Sequence, residues 1–184
     1  MLRTLLALLC LLTLNSSFAT TVLPVSLDHM AKNAAVIFYG RVISNEVKID
    51  DVSRRVATFT TFEVLDSIKG ISSSTYTVKQ VGGRLPGSTV VTRIYGVPRF
   101  TVNAEYVVFL PKASSLGFAS PIGLSQGSYD VHTDASGNKT VHGHGISSKP
   151  PTANTSDALR TTPVPTNTTT LSNFLQNVRT LSGH

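Results

Sequence analysis

Tryptophan is absent from this chain of 184 residues, and there is a single cysteine, Cys10. That cysteine lies in an apolar stretch near the start, so everything after it has no thiol. Disulfide staples and thiolate metal sites are therefore excluded from the rest of the chain. Long apolar runs are scarce too. The one present, Leu5 to Leu14, covers about ten residues and is too short to span a bilayer. Acidic residues are few, 10 against 16 basic ones, which leaves a net charge of +6.

The short apolar run has the form of a secretory leader. Arg3 supplies the positive start, the leucine-rich stretch follows, and Ser17 and Ala19 occupy the small-residue positions before a cleavage point. The reading is a signal peptide over 1–19 and a mature chain from Thr20. Leu9 stands before Cys10 where a lipoprotein box takes Gly or Ala, which argues against a lipid anchor. An exported chain, periplasmic or extracellular, would then enter an oxidising compartment with no cysteine to oxidise. It needs no staple if its core is large enough, and roughly 120 to 165 residues bury about two-thirds of their unfolded surface. After cleavage no transmembrane segment remains. The basic residues are scattered, with only Arg54 and Arg55 adjacent. A field this diffuse reads first as a solvated surface, and second as an attraction to anionic envelope surfaces or extracellular polyanions. Nucleic acid is not an expected partner for an exported chain.

Past the leader, Ser26 is placed to cap a short helix through Leu27, Met30, Ala31 and Ala34. Residues 35–47 and 54–70 are rich in Val, Ile, Thr and Phe and predict a long antiparallel hairpin, with the turn at Asp50 and Asp51. Gly40 predicts a bulge or sharp bend. Further strands are predicted over 75–81, 89–96, 105–111, weakly 117–123, then 127–133 and 139–144. The last two flank "DASGN", where Gly137 can supply a positive φ. Many short strands with Gly and Pro turns predict a mainly β protein, a small OB-like antiparallel barrel over 20–146. Residues 147–168 are rich in Pro, Ser, Thr and Asn and read as a flexible linker. An amphipathic helix is predicted over 169–182, with Leu171, Phe174, Leu175, Val178 and Leu181 on one face and Thr170 as cap. It lacks the basic flanks of a membrane-surface helix, so docking on the domain is preferred.

Several constellations could carry chemistry. "GLSQG" at 123–127 matches a nucleophile elbow around Ser125, with Asp130 and His142 following in hydrolase order. An elbow needs a strand before it and a helix after it, and strand-like "SYDVHT" follows instead. His132, His142 and His144 are candidate zinc or copper ligands, since residues two apart on a strand share a face. The turn decides whether they meet. A two-residue turn at Ser136-Gly137 puts His132 and His142 on opposite faces, whereas a three-residue loop centred on Gly137 pairs them. Ordinary surface histidines are the simpler reading, so no cofactor is expected. "VGGRLPG" at 81–87 has the glycines of a phosphate cradle without the following helix, and reads as a loop. Glu46, Glu63 and Glu105 show no spacing that marks a glycosidase. Asn138, Asn154 and Asn167 lie in N-x-S/T sequons.

Taken together, "AAVIFYGRV", the Thr/Phe-rich strand ending in "VLDSIKG", the Gly82-Gly83 loop, Pro98 and Phe100 before "EYVVFL", and Gln126-Gly127 before "SYDV" resemble uncharacterised bacterial exported proteins. The resemblance covers about 35–132 and implies an OB-type barrel similar to netrin and tissue-metalloprotease-inhibitor domains. In it Pro98 and Phe100 would plug a barrel end. Asn103-Ala104 stand where that pattern favours Gly before Glu. Inhibitors of that fold act through an N-terminal cysteine, which "TTVLP" does not provide. The resemblance implies no catalytic activity. The expectation is a non-enzymatic binding module whose partner is an extracellular or periplasmic protein, a protease among the candidates. The alternative is a small secreted hydrolase or metal protein using Ser125 or the histidines.

Overall fold

The β-branched and aromatic content of residues 36–69 folds into two 14-residue strands, β1 (Val36–Ile49) and β2 (Val56–Lys69), paired antiparallel. The computed structural model describes residues 23–143 and 169–183. The leader, the linker and His144 lie outside the described residues. The other strands are β3 (Thr75–Val81), β4 (Glu105–Leu110), β5 (Ser128–Thr133), β6 (Lys139–Gly143) and the two-residue β7 (Thr169–Thr170). All seven form one antiparallel sheet in the order β3-β2-β1-β4-β5-β6-β7. The mainly β class holds. β3 and β7 are the sheet's two edges and do not pair with each other, so the sheet is open.

The β1–β2 register breaks three times, between Ile37 and Phe38, at Gly40, and between Val42 and Ser44. A Cβ at Gly40 would stand 2.7 Å from the Glu63 carbonyl oxygen, so the strands approach too closely there for any other residue. Beside the last of these breaks, Asn103 donates its N–H to the Val42 carbonyl and Val42 donates to that of Ala104. Asn103 is left-handed at φ 69, a conformation Asn tolerates better than most residues. The turn that lacks the expected Gly is thus made with Asn.

Alternation on β1 and β4 separates two cores. Ile37, Tyr39, Val107 and Phe109 point to one face, and Phe38, Val42, Tyr106, Val108 and Leu110 to the other. Both faces are covered, which is why "YVVFL" is apolar without a break. Two helices cover the first face. α1 (Leu27–Asn33) is capped by Ser26, whose hydroxyl accepts from the His29 N–H. α2 (Leu171–Ser182) buries Leu171, Phe174, Leu175 and Val178, the face its sequence predicts. Arg179 anchors it by donating to both oxygens of Asp66 at 2.6 Å.

The second face holds edge-to-face rings. Phe62 meets Phe38 at 5.2 Å and Phe100 at 5.0 Å, and Phe100 meets Tyr106 at 5.1 Å. Such geometry adds about 0.5–1.5 kcal/mol per pair beyond burial. Residues 112–123 form no strand, including 117–123, where the sequence predicts a weak one. They run from the end of β4 to the β3 edge, where Ala119 donates to the Lys79 carbonyl and Lys79 Nζ to that of Leu116. Lys79 Nζ also pairs with Asp50 at 2.6 Å and lies over the Phe118 ring. Residues 89–96 are not a strand either. Among the described residues they contribute one isolated bridge, Gly83 to Thr92. Strand-like composition there serves a loop that lies across the sheet.

Candidate functional site

Beyond the rings, the same sheet face turns polar. Asn45 and Val47 of β1 pair with Thr60 and Thr58 of β2, and Thr58 pairs in turn with Gln80 of β3. These five side chains floor a cleft of about 740 Å³, a size ordinary for ligand sites. Gly82, Gly83 and Arg84 form one wall. The ribbon from Val91 to Phe100 forms the other.

Both walls are fixed by short-range contacts. Gly83 and Thr92 exchange backbone hydrogen bonds at 2.9 and 3.0 Å. Thr58 Oγ1 donates to the Gly82 carbonyl at 2.7 Å. Gly83 has φ +134, and a Cβ on it would lie 2.5 Å from Val47 Cγ1 and 2.7 Å from Thr58 Oγ1. Only glycine lets the backbone cross the floor so closely. At the other end Asn45 Nδ2 donates to the Phe100 carbonyl at 2.7 Å, while Asn45 Oδ1 accepts from Thr60 Oγ1. The ribbon is therefore tied at Thr92 and at Phe100, with Arg93, Ile94, Tyr95 and Arg99 between them.

Charge in the cleft has one sign. Arg84, Arg93 and Arg99 line it, with no carboxylate among its lining residues. None of the three has an ion pair or hydrogen-bond partner among the described residues. On the floor Gln80 is 5 % exposed, and its side-chain N–H group has no acceptor among the described residues. Tyr95 on the ribbon is 91 % exposed and Ile94 48 %. Reading the basic residues as a scatter missed this convergence. The available signal was that residues 82–104 contain three arginines and no acid. No family model, curated protein or solved structure matches the chain. The cleft is thus read on its own chemistry.

Of the residues singled out from sequence, the 81–87 loop, Pro98 and Phe100 line this cleft, whereas Ser125, His132 and His142 lie elsewhere. Ser125 sits in a 3-10 turn, Leu124–Gly127, that leads straight into β5. No histidine or carboxylate is hydrogen-bonded to it among the described residues. The flanking residues have structural work instead. Gln126 accepts from the Val25 N–H at 2.8 Å and donates to the Leu23 carbonyl, and a Cβ on Gly127 would meet the Ile122 carbonyl at 2.4 Å. The β5–β6 turn adopts neither of the two expected registers. The loop closes one residue earlier, centred on Ser136, so His132 pairs with Thr140. Asp134 donates its N–H to the Asn138 carbonyl, and its carboxylate accepts from the N–H groups of Ser136 and Asn138. His132 and His142 share a face, with ring centroids 4.8 Å apart. His142 Nε2 is 3.1 Å from Thr140 Oγ1. Among the described residues no group of three or more His, Cys, Asp or Glu could hold a metal ion.

A second polar cluster ties β1, β4 and β6 together. Glu105 Oε2 accepts from Tyr39 at 2.5 Å and from Lys139 at 2.6 Å, and Oε1 accepts from Arg41 at 2.8 Å. Burial alone would raise the Glu105 carboxyl, but the hydrogen bonds from Lys139, Tyr39 and Arg41 prevail and hold it at about 2. Burial, and then the bond to Glu105, push the Tyr39 phenol up. Near neutral pH the carboxylate stays ionised and the phenol protonated. Neither is then poised to exchange a proton, and the cluster acts as a lock between strands.

Proposed function

We propose that this chain is an exported, non-enzymatic binding module built on an OB-like half-barrel, similar to netrin and tissue-metalloprotease-inhibitor domains, and that its ligand occupies the arginine-lined cleft. The observation that carries the reading is the single-sign lining: three arginines without a partner among the described residues, on two hydrogen-bonded walls above a hydroxyl- and amide-rich floor. Unpaired guanidinium groups held over a pre-formed concavity suit recognition of an anion. The barrel reading draws on residues 112–123, which bridge from β4 to the free edge of β3 over the ring cluster. Export draws on Arg3 and the leucine-rich stretch behind it.

The test is affinity capture from the extracellular and periplasmic fractions with the immobilised chain, beside an Arg93→Glu/Arg99→Glu variant. The wild type should retain a partner that the variant loses. Equal capture by both would remove the cleft from the function.

A further inference from the structure

We infer that the ligand is an acidic segment of a protein partner, an extended peptide that alternates carboxylate and apolar side chains. This rests on the reading of the cleft as the ligand site and specifies its occupant. Arginine forks bind carboxylates bidentately, and Arg84, Arg93 and Arg99 offer three of them without competition from the described residues. Beside its polar groups the lining also carries aliphatic side chains, Val47, Val91, Ile94 and Val97. Aliphatic ribs favour leucine- or valine-type side chains. A sugar ring prefers an aromatic platform, and within the lining only Tyr95 offers an exposed ring. Tyr95 and Arg93 on the rim are the residue types that dominate protein interfaces. Gln80 adds a directional element. Rotation of its terminal amide would aim the unpartnered N–H at a peptide carbonyl seated on the floor, which relieves the cost of a buried donor without an acceptor.

Fluorescence anisotropy on the full chain, recovered after export, tests this with three probes: a tagged peptide alternating glutamate and leucine, its glutamine counterpart, and a sulfated oligosaccharide. The glutamate peptide should bind saturably, weaken with added salt, and bind at least about tenfold more tightly than the glutamine peptide. Arg93→Gln and Arg99→Gln should each weaken it about tenfold. Their unfolding midpoints should not move, since neither guanidinium has a partner to lose among the described residues. Gln80→Leu should unfold no earlier than wild type and yet bind more weakly, because it removes an unsatisfied donor from the fold and a used donor from the site. Equal binding of the two peptides, or glutamate-peptide binding that none of the three variants weakens, overturns the inference. Tighter, competing binding of the sulfated oligosaccharide also overturns it, and leaves the cleft standing as the ligand site. Absence of glutamate-peptide binding overturns it as well. The capture experiment with Arg93→Glu/Arg99→Glu then reports separately on the cleft.

Discussion

Phe100 is 5 % exposed and touches the rings of both Phe62 and Tyr106. Its backbone also ends the cleft ribbon, through the carbonyl that Asn45 holds. One residue thus joins the core to the candidate site. Phe100→Ala should cost about 3–5 kcal/mol, read as a shift in chemical denaturation. A loss below about 0.5 kcal/mol would remove the ring from the core. Glu105 makes a second prediction. Its carboxyl sits at about 2 in the folded chain against an ordinary 4.5, so its contribution to stability is complete above 4.5 and fades as pH falls toward 2. Asp50, held at about 2 mainly by the hydrogen bond from Lys79, fades in the same direction. Glu105→Gln should lose roughly 2–3 kcal/mol at neutral pH, and its stability should depend less on pH between 4.5 and 2. Denaturation at both ends of that window checks it, and an unchanged pH slope would refute the lock. Phe100 was legible in the sequence because Pro98 and an apolar strand flank it. Glu105 was not, because its partners Tyr39, Arg41 and Lys139 come from distant strands that only the sheet order brings together.

At the scale of elements, the legible parts were those whose burial follows a simple period. The hairpin, the Gly40 break and both helices are written in local alternation, a glycine and a 3.6-residue stripe. Residues 89–96 were misread because β-rich composition reports fitness for a half-buried surface and not the presence of a hydrogen-bonding neighbour. Val90, Ile94 and Tyr95 remain exposed, and the ribbon lies over the floor of the cleft with a single bridge to Gly83. The arginine convergence was hidden for the same reason, since loop path and not spacing brings Arg84 to Arg93 and Arg99. A direct consequence concerns Gly83. Its left-handed φ and the 2.5 Å approach to Val47 leave no room for a Cβ, so Gly83→Ala should displace the wall and cost roughly 1–3 kcal/mol. Gly87→Ala on the same loop meets no atom within 4 Å and carries only the conformational penalty of its positive φ. The two variants compared by denaturation and by probe binding separate wall geometry from backbone preference. Equal behaviour would show that the close crossing is not needed.

The molecule as a whole is completed from its C-terminal end. β7 adds to the β6 edge, and α2 follows directly to lie against α1 and the first face of the sheet. Four large apolar side chains of α2 are buried, Leu171, Phe174, Leu175 and Val178, at roughly 1.5–3 kcal/mol each. Arg179 to Asp66 adds a two-pronged ion pair. Against this stands the cost of associating two free chains, about 4–15 kcal/mol, which a covalent connection avoids by holding the helix at a high effective concentration. The two sums are comparable, so the contribution of the connection is measurable. A specific protease site inserted within 147–168 should give, after cutting, a complex of both pieces at high protein concentration by native mass spectrometry. Dilution should release the piece carrying β7 and α2. Release should bare Met30, Ala31, Ile37 and Phe109, which line the same core, and so raise binding of a hydrophobic dye. Phe174→Ala should shift release to higher concentration. A cut chain that separates at every concentration, with no change in dye binding or unfolding midpoint, would show that the helix is not part of the folded core.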